Sequence, residues 1–263
     1  MNETTKRTVL VSGSTSGIGE AIATAFARDG ATVVVNGRDQ ERTEAAAGRI
    51  RSATGHDGLL PVAADLGTAE GARTVFDAVP EVDVLVNNLG IFGATPFMEI
   101  TDEEWHHYFE VNVLSGVRLA RHYIPGMVRR GWGRVIFISS ESSLMIPTEM
   151  VHYGMTKTAQ ISVSRGLAQT VAGSGVTVNT VLPGPTLTPG VETFIADRVG
   201  ADLPFAEAEA RFIAEERPTS LLRRLIRPEE VAGLVHYVGS DASSATTGAT
   251  LRVDGGLIPM IIP

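Results

Sequence analysis

Cysteine is absent from this sequence of 263 residues. That absence excludes a disulfide framework, a thiolate zinc site, an iron–sulfur cluster and a cysteine nucleophile, and it leaves the redox compartment unreadable from thiols. Basic residues are outnumbered, 22 Lys and Arg against 30 Asp and Glu, giving a net charge of −8. An excess of that sign repels a phosphate backbone, so no nucleic-acid partner is expected. No run approaches the ~20 uninterrupted apolar residues of a membrane helix. The opening MNETTKR lacks the apolar core of a signal peptide, so the expected location is the cytoplasm, with no membrane partner. The six histidines are scattered at 56, 106, 107, 122, 152 and 236, without His-Glu-x-x-His or any other ligand spacing, and no metal is expected.

What remains is ordinary globular composition, 43% hydrophobic and 20% charged. This length suits one α/β domain spanning 1–263. Short β-branched runs recur at Thr8–Val11, Thr32–Val35, Leu59–Ala63, Val82–Val86, Arg134–Ser139, Val176–Leu182 and Thr250–Val253. Each has the length of a strand buried on both faces. Helix-like segments lie between them near 18–29, 39–53, 68–78, 102–130, 151–172 and 227–239, the fourth opened by the cap Thr101-Asp102-Glu103-Glu104. The alternation predicts a doubly wound, Rossmann-type domain, a seven-stranded parallel sheet with helices on both faces. One segment breaks the rhythm. From about 186 to 218 the chain is rich in Pro and Gly and too long for a simple connection, so a substrate lid or binding loop is expected there.

The first strand runs into Ser12-Gly13-Ser14-Thr15-Ser16-Gly17-Ile18-Gly19. Glycines at a strand-to-helix turn let the backbone approach a pyrophosphate, and the following helix offers its N-terminal amides to the anion. No Lys follows as in a nucleoside-triphosphate loop. The second strand ends Val35-Asn36-Gly37-Arg38, without the carboxylate that would accept from an adenine-ribose 2′-hydroxyl. Arg38 instead offers a guanidinium suited to a 2′-phosphate, which favours NADP(H) over NAD(H). The competing reading is a solvated Arg38 paired with Asp39. Tyr153 and Lys157 stand at i and i+4 on one helix face, where an ammonium lowers a phenol's pKa. Ser140 ends the fifth strand, at the edge where such sheets bind ligands.

With these residues in view the chain resembles the short-chain dehydrogenases/reductases over nearly its whole length. The resemblance rests on Gly13/Gly17/Gly19, Asp65-Leu66, Asn87-Asn88-Leu89-Gly90, Asn112 in Val-Asn-Val, Ser140, Tyr153/Lys157, Pro183-Gly184 and Asp254-Gly255-Gly256. It implies an NADP-preferring carbonyl reductase similar to 3-oxoacyl-carrier-protein reductases, acting on a ketone or secondary alcohol. Ser140 would orient the substrate oxygen, Tyr153 would be the acid/base, and Lys157 would bind the nicotinamide ribose and lower the Tyr153 pKa. Asn112 would hold a relay water. Cofactor contacts would come from residues 13–19, Arg38, Asp65 at the adenine, Leu66, Asn88 and Gly90. Pro183, Gly184, Thr186 and Thr188 would complete them near the nicotinamide. Leu89 departs from the family's Ala.

Two rival functions keep the fold, an NAD-linked secondary alcohol dehydrogenase and a dinucleotide sensor without turnover. The arginines at 118, 121, 129, 130 and 134 form either a docking stripe for an acidic carrier protein or a solvated helix face. Adjacent His106 and His107 cannot share a helix face as ligands, and Trp105 and Phe109 read as core or interface anchors. His152 and Glu141 flank the candidate catalytic pair, each with a substrate-contact or a capping reading. The apolar tail Leu257–Pro263 calls for a partner surface, and a homotetramer is expected ahead of a dimer.

Overall fold

The computed structural model describes residues 7–200 and 202–261. The stretch read at the N-terminus lies outside these but for Arg7, as do Ala201 in the 186–218 insertion and Ile262 and Pro263 of the tail.

The seven strands are β1 (Thr8–Val11), β2 (Thr32–Gly37), β3 (Leu59–Ala63), β4 (Val84–Asn87), β5 (Gly133–Ile138), β6 (Val176–Pro183) and β7 (Thr250–Val253). All pairings are parallel, in the order β3-β2-β1-β4-β5-β6-β7. Strand positions match the sequence expectation to within a residue or two. The central β5 and β6 are buried along their whole length, whereas β3 at one edge leaves Leu60 and Pro61 exposed, a place where a residue without an N–H is tolerated.

Alternate side chains of the strands feed two cores. Val9, Val11, Val33 and Val35 pack against Ile22 and Phe26 of α1 (Gly17–Arg28), Ile50 of α2 (Gln40–Thr54) and Val231 and Val235 of a later helix over Pro228–Val238. Leu10, Val34, Leu85 and Phe137 pack on the other face against Val75 of α3 (Ala69–Ala78) and Leu119, Tyr123 and Met127 of the long helical segment before β5. The sequence order reverses between β1 and β4, and the crevice at their carboxyl ends is where an open parallel sheet takes its ligand.

The segment expected as one helix over 102–130 is three. α4 (Asp102–Phe109) is followed by a π-helical turn (Glu110–Leu114) and then α5 (Ser115–Arg130). The Thr101 hydroxyl accepts from the Glu104 amide as the capping pattern predicted. The π turn inserts one residue into the helical ladder and turns Asn112 inward. α6 (Val151–Thr170) follows β5. The irregular insertion is itself helical, with α7 (Pro189–Val199) and α8 (Phe205–Glu216) closing over their own small core of Ile195, Phe212, Ile213 and Leu225. α9 (Pro228–Val238) returns the chain to the sheet.

Candidate active site

The glycine turn after β1 is braced from below. Gly13 and Gly17 have φ of +63° and +57°, a left-handed conformation open to glycine and strained for other residues. A Cβ on Gly19 would lie 2.4 Å from the Gly13 carbonyl oxygen. Asn36, which the sequence offered only as a missing carboxylate, is the brace. Its Oδ1 accepts from the Gly13 amide at 3.2 Å, and its Nδ2 donates to the Val62 and Ala64 carbonyls at 3.1 Å each. The Ser14 hydroxyl donates to Val11 and accepts from the Asn36 amide. From the β4 side, Asn88 Nδ2 donates to the Ser12 and Gly13 carbonyls at 2.9 and 3.0 Å. Ser16, the N-cap of α1, makes no side-chain cap bond, so the first amides of α1 have no capping partner among the described residues.

At the other end of the crevice, Ser140 and α6 meet. Lys157 is buried, and its Nζ donates to the Ile138 carbonyl at 3.0 Å. Burial pushes its pKa down to about 8, against the opposing pull of Glu141. Tyr153 is pushed up from its ordinary value, by burial first and then by the Glu141 carboxylate, while Ser140 and Arg217 act in the lowering direction. This is the reverse of the expected effect of Lys157. The ammonium sits 5.6 Å from the centre of the tyrosine ring, and burial of the phenol outweighs it. Asn112 is fully engaged. Its Oδ1 accepts from the Ile91 amide at 2.8 Å, and its Nδ2 donates to the Ile91 carbonyl and the Thr156 hydroxyl, both at 3.0 Å. Its backbone carbonyl accepts from Gln160 at 2.6 Å. A Cβ on Gly90 would lie 3.2 Å from Lys157 Nζ.

These two ends form one cleft of about 330 Å³. Gly13, Ser16, Gly17, Ile18, Gly19, Asn88 and Gly90 line it together with Ser140, Tyr153, Lys157, Pro183, Gly184, Thr186 and Thr188. A family model described as enoyl-(acyl carrier protein) reductase matches residues 13–258. The chain is 52% identical over 253 residues to the uncharacterized oxidoreductase YvaG of Bacillus subtilis (strain 168), covering 96% of each chain. It is 32% identical over 261 residues to an acetoacetyl-CoA reductase of Cupriavidus necator, covering 96% of this chain and 98% of the relative. The crystal structure of L-sorbose reductase from Gluconobacter frateurii complexed with NADPH and L-sorbose superposes with a TM-score of 0.89 at 31% identity, covering 98% of each chain.

The chain belongs to the short-chain dehydrogenase/reductase family. It is an oxidoreductase, and the residues that carried the resemblance meet around one cleft, with exceptions that the short-chain fold explains. Leu66 is buried in the core beneath α3 and α5, leaving only its backbone to face a ligand. Asp65 is exposed, and its Oδ1 accepts from the Gly67 amide at 2.9 Å. Ser14 lies under the turn. Thr15 packs its methyl group beside Gly37, where a Cβ would come within 2.4 Å of it. Arg38 is exposed and makes no hydrogen bond or ion pair among the described residues. Asp39 does not pair with it, since its Oδ1 caps α2 at the Arg42 amide. The Thr186 hydroxyl donates to Gly184 at 2.8 Å, while Thr188 caps α7 and sets its methyl against Gly17. Asp254 receives the Gly256 and Ile258 amides and so supports the turn at Gly184. Leu89 packs on the core in the place of the family's Ala.

Glu141 and His152, neighbours of the candidate catalytic residues, part company. Glu141 lines the cleft. His152 is wholly buried outside it, its ring tilted against Tyr108, with Nε2 3.2 Å from Glu104. Burial lowers its pKa, opposed by Glu104. The arginine stripe is dispersed. Arg118 pairs with Glu110 and Arg130 with Glu81, and Arg134 is buried against Trp132. Sequence reasoning missed the aromatic wall of Phe92, Phe194 and Phe212, which come from separate segments of the chain. It also missed Arg217, at the end of α8.

Proposed function

We propose that this protein is an NADP(H)-dependent carbonyl reductase that interconverts a ketone and a secondary alcohol, with 3-oxoacyl-type substrates within its range. One observation carries the reading. Ser140, Tyr153 and Lys157 share a cleft with an uncapped helix N-terminus that a left-handed glycine turn introduces. That terminus fits a diphosphate, as free backbone amides and the positive end of a helix dipole converge there. The unpaired Arg38 guanidinium, on the turn after β2, fits a 2′-phosphate. Lys157 keeps ammonium hydrogens beyond the one donated to Ile138, which fits ribose hydroxyls beside Gly90. NADPH was bound in the L-sorbose reductase structure, and acetoacetyl-CoA reductase names a 3-oxoacyl substrate; both support the reading.

When bound, the dinucleotide supplies the hydride. The chain supplies orientation and a proton. Tyr153 Oη, kept protonated by its burial, holds the carbonyl oxygen and donates its proton as charge develops there, and Ser140 joins it by turning its hydroxyl from Glu141 to the same oxygen. Lys157 fixes the ribose and provides the positive charge that stabilises the phenolate left behind. Asn112 ties the Ile91 loop to α6 and acts here as a positioning residue that supports the relay. The helical pair α7 and α8 forms the substrate lid. Met260 and Ile261 remain exposed, as do Leu221 and Leu222, which supports burial of the tail's end against a second copy in a homotetramer. We assign the enzyme to the cytoplasm.

The test is NADPH absorbance in the presence of a panel of ketones. Turnover with NADPH and little with NADH is expected. Preference for NADH would favour the NAD-linked alternative, and tight dinucleotide binding without turnover of any ketone would favour the sensor.

A further inference from the structure

Carbonyl reduction as described does not call for Glu141 or Arg217, yet both lie in the cleft. Glu141 follows Ser140 on the short turn after β5, is 6% exposed, and receives the Ser140 hydroxyl on Oε2. Its Oε1 stands 3.7 Å from Arg217 Nε, with the two side chains 8% and 13% exposed. That separation is within ion-pair range and beyond a hydrogen bond. Arg217 spends one terminal nitrogen on the Glu216 carbonyl at 2.7 Å. Its Nε and its other terminal nitrogen have no hydrogen-bond partner among the described residues. A buried carboxylate and a half-buried guanidinium stand side by side on the cleft without closing a hydrogen bond on each other, which leaves both able to take a ligand group.

The 3.7 Å separation leaves no room for an atom between the two groups, but an oxygen beside the pair, on its cleft side, lies within reach of both. A single oxygen at ordinary hydrogen-bond distance from both groups can accept from Arg217 and donate to Glu141. A hydroxyl does both. A substrate carboxylate would accept from Arg217 and be repelled by Glu141, an ammonium would meet the opposite conflict, and an alkyl group would satisfy neither. We propose that Glu141 and Arg217 form a subsite for a substrate hydroxyl, so that the ketone reduced is a short hydroxyketone.

The position of that hydroxyl follows from the chain. Glu141 is bonded to Ser140, which holds the reacting oxygen, and both Glu141 and Arg217 act electrostatically on the Tyr153 phenol. The hydroxyl therefore sits on the carbon next to the carbonyl or one further along. Phe92, Phe194 and Phe212 face the same space and cover the C–H side of the substrate. A substrate hydroxyl offers the pair the same donor and acceptor that solvent does, so the hydrogen bonds are preserved on binding.

This inference rests on the carbonyl-reductase reading, and hydroxyacetone and butanone separate the two because they differ only by a hydroxyl in place of a methyl group. The measurement is kcat/KM with NADPH for both ketones and for acetoacetate, in the wild type, Glu141→Gln, Arg217→Met and Arg217→Lys. A wild-type preference for hydroxyacetone over butanone of roughly tenfold to a hundredfold is expected, since a site built for a hydroxyl rejects the analogue lacking it. Arg217→Met and Glu141→Gln should bring the ratio down at least severalfold, and Arg217→Lys should keep part of it. Glu141→Gln also disturbs Ser140, so the ratio between substrates is the readout and Arg217→Met, which leaves Ser140 alone, is the second line. A ratio unchanged in both Arg217→Met and Glu141→Gln, or a preference for acetoacetate over hydroxyacetone, would overturn the hydroxyl subsite while leaving carbonyl reduction standing. Failure to turn over any of the three ketones would overturn both.

Discussion

Lys157 is held at a cost to the fold, and under the proposed mechanism removing its charge should make the protein more stable as it makes it inactive. The ammonium is buried, and its pKa is pushed from 10.5 to about 8. The unfolded chain restores the ordinary value. Between pH 8 and 10.5 the unfolded state therefore binds more protons than the folded one, and stability rises with pH through that window; below it the full penalty applies. The difference is worth about 3 kcal/mol at pH 7 and about 2 kcal/mol at pH 9. Lys157→Met keeps an unbranched side chain of similar length, removes the charge, and forfeits the bond to the Ile138 carbonyl, a loss of about 1 kcal/mol. The net expectation is about 2 kcal/mol of added stability at pH 7, a rise in Tm of roughly 4–8 °C for a chain of this size, shrinking to nothing near pH 10. Thermal denaturation of both proteins without added dinucleotide, across that pH range, measures it. Dinucleotide must be left out because it would stabilise the wild type selectively. A variant no more stable than the wild type at pH 7, or a gap that does not close as the pH rises, would refute the assignment of a strained ammonium at this position.

Tyr153→Phe keeps the ring and removes the transferable proton, so kcat should fall by roughly 100-fold or more with dinucleotide affinity nearly unchanged; near-normal turnover in steady-state assays would sink the proton-donor role. Reduction should lose kcat/KM as the pH rises through about 8, where Lys157 gives up its charge, and a flat profile up to pH 10 would contradict that. Arg38→Ala should weaken NADPH by about tenfold to a hundredfold and leave NADH nearly untouched, as charge-assisted hydrogen bonds to the 2′-phosphate are lost; equal effects on the two coenzymes would count against the phosphate site. Light scattering should show the proposed homotetramer for the wild type and a looser assembly after truncation following Pro259, because the cut removes exposed Met260 and Ile261 and keeps Leu257 and Ile258, which are buried in their own subunit; a monomeric wild type would refute the assembly, and an unchanged oligomer would deny the tail its role.

Legibility in the sequence followed the range over which each signal acts. Strands of the central sheet were readable because burial on both faces demands unbroken Val, Leu and Ile, as in Val33–Val35 and Val84–Val86, and burial shows directly in composition. Tyr153 and Lys157 were readable because one helical turn fixes their relation. The π turn at Glu110–Leu114 was not, since an extra residue in a helical ladder leaves no mark in the apolar period and only the packing of Asn112 against Ile91 and Thr156 records it. Nor was the divergence of Glu141 and His152. The two adjoin Ser140 and Tyr153 along the chain, but His152 sits on α6, one residue of helical rotation from Tyr153, and is carried toward Tyr108 and Glu104 instead of the cleft.

Arg217 shows a further limit of local reading, and it bears on how the site is built. The frame of the cleft is made by three asparagines, Asn36, Asn88 and Asn112, whose side-chain amide hydrogens all go to neighbouring groups, mostly backbone carbonyls. Each fastens one loop to the next element of the sheet or to α6, so the glycine turn, the Ile91 loop and α6 are tied into one hydrogen-bonded frame. The α7–α8 pair is held differently. α7 and α8 have a separate small core, and among the ion pairs that reach the rest of the molecule from them are Arg198 with Glu149 and Arg217 with Glu141, both at 3.7 Å. Long, partly open pairs resist motion less than amide clamps do. Under the proposed mechanism, a braced frame around Tyr153 and a more loosely tethered α7–α8 pair carrying Arg217 divide the work as the chemistry requires, since transfer of a proton needs fixed distances while admission of a substrate needs a wall that can move.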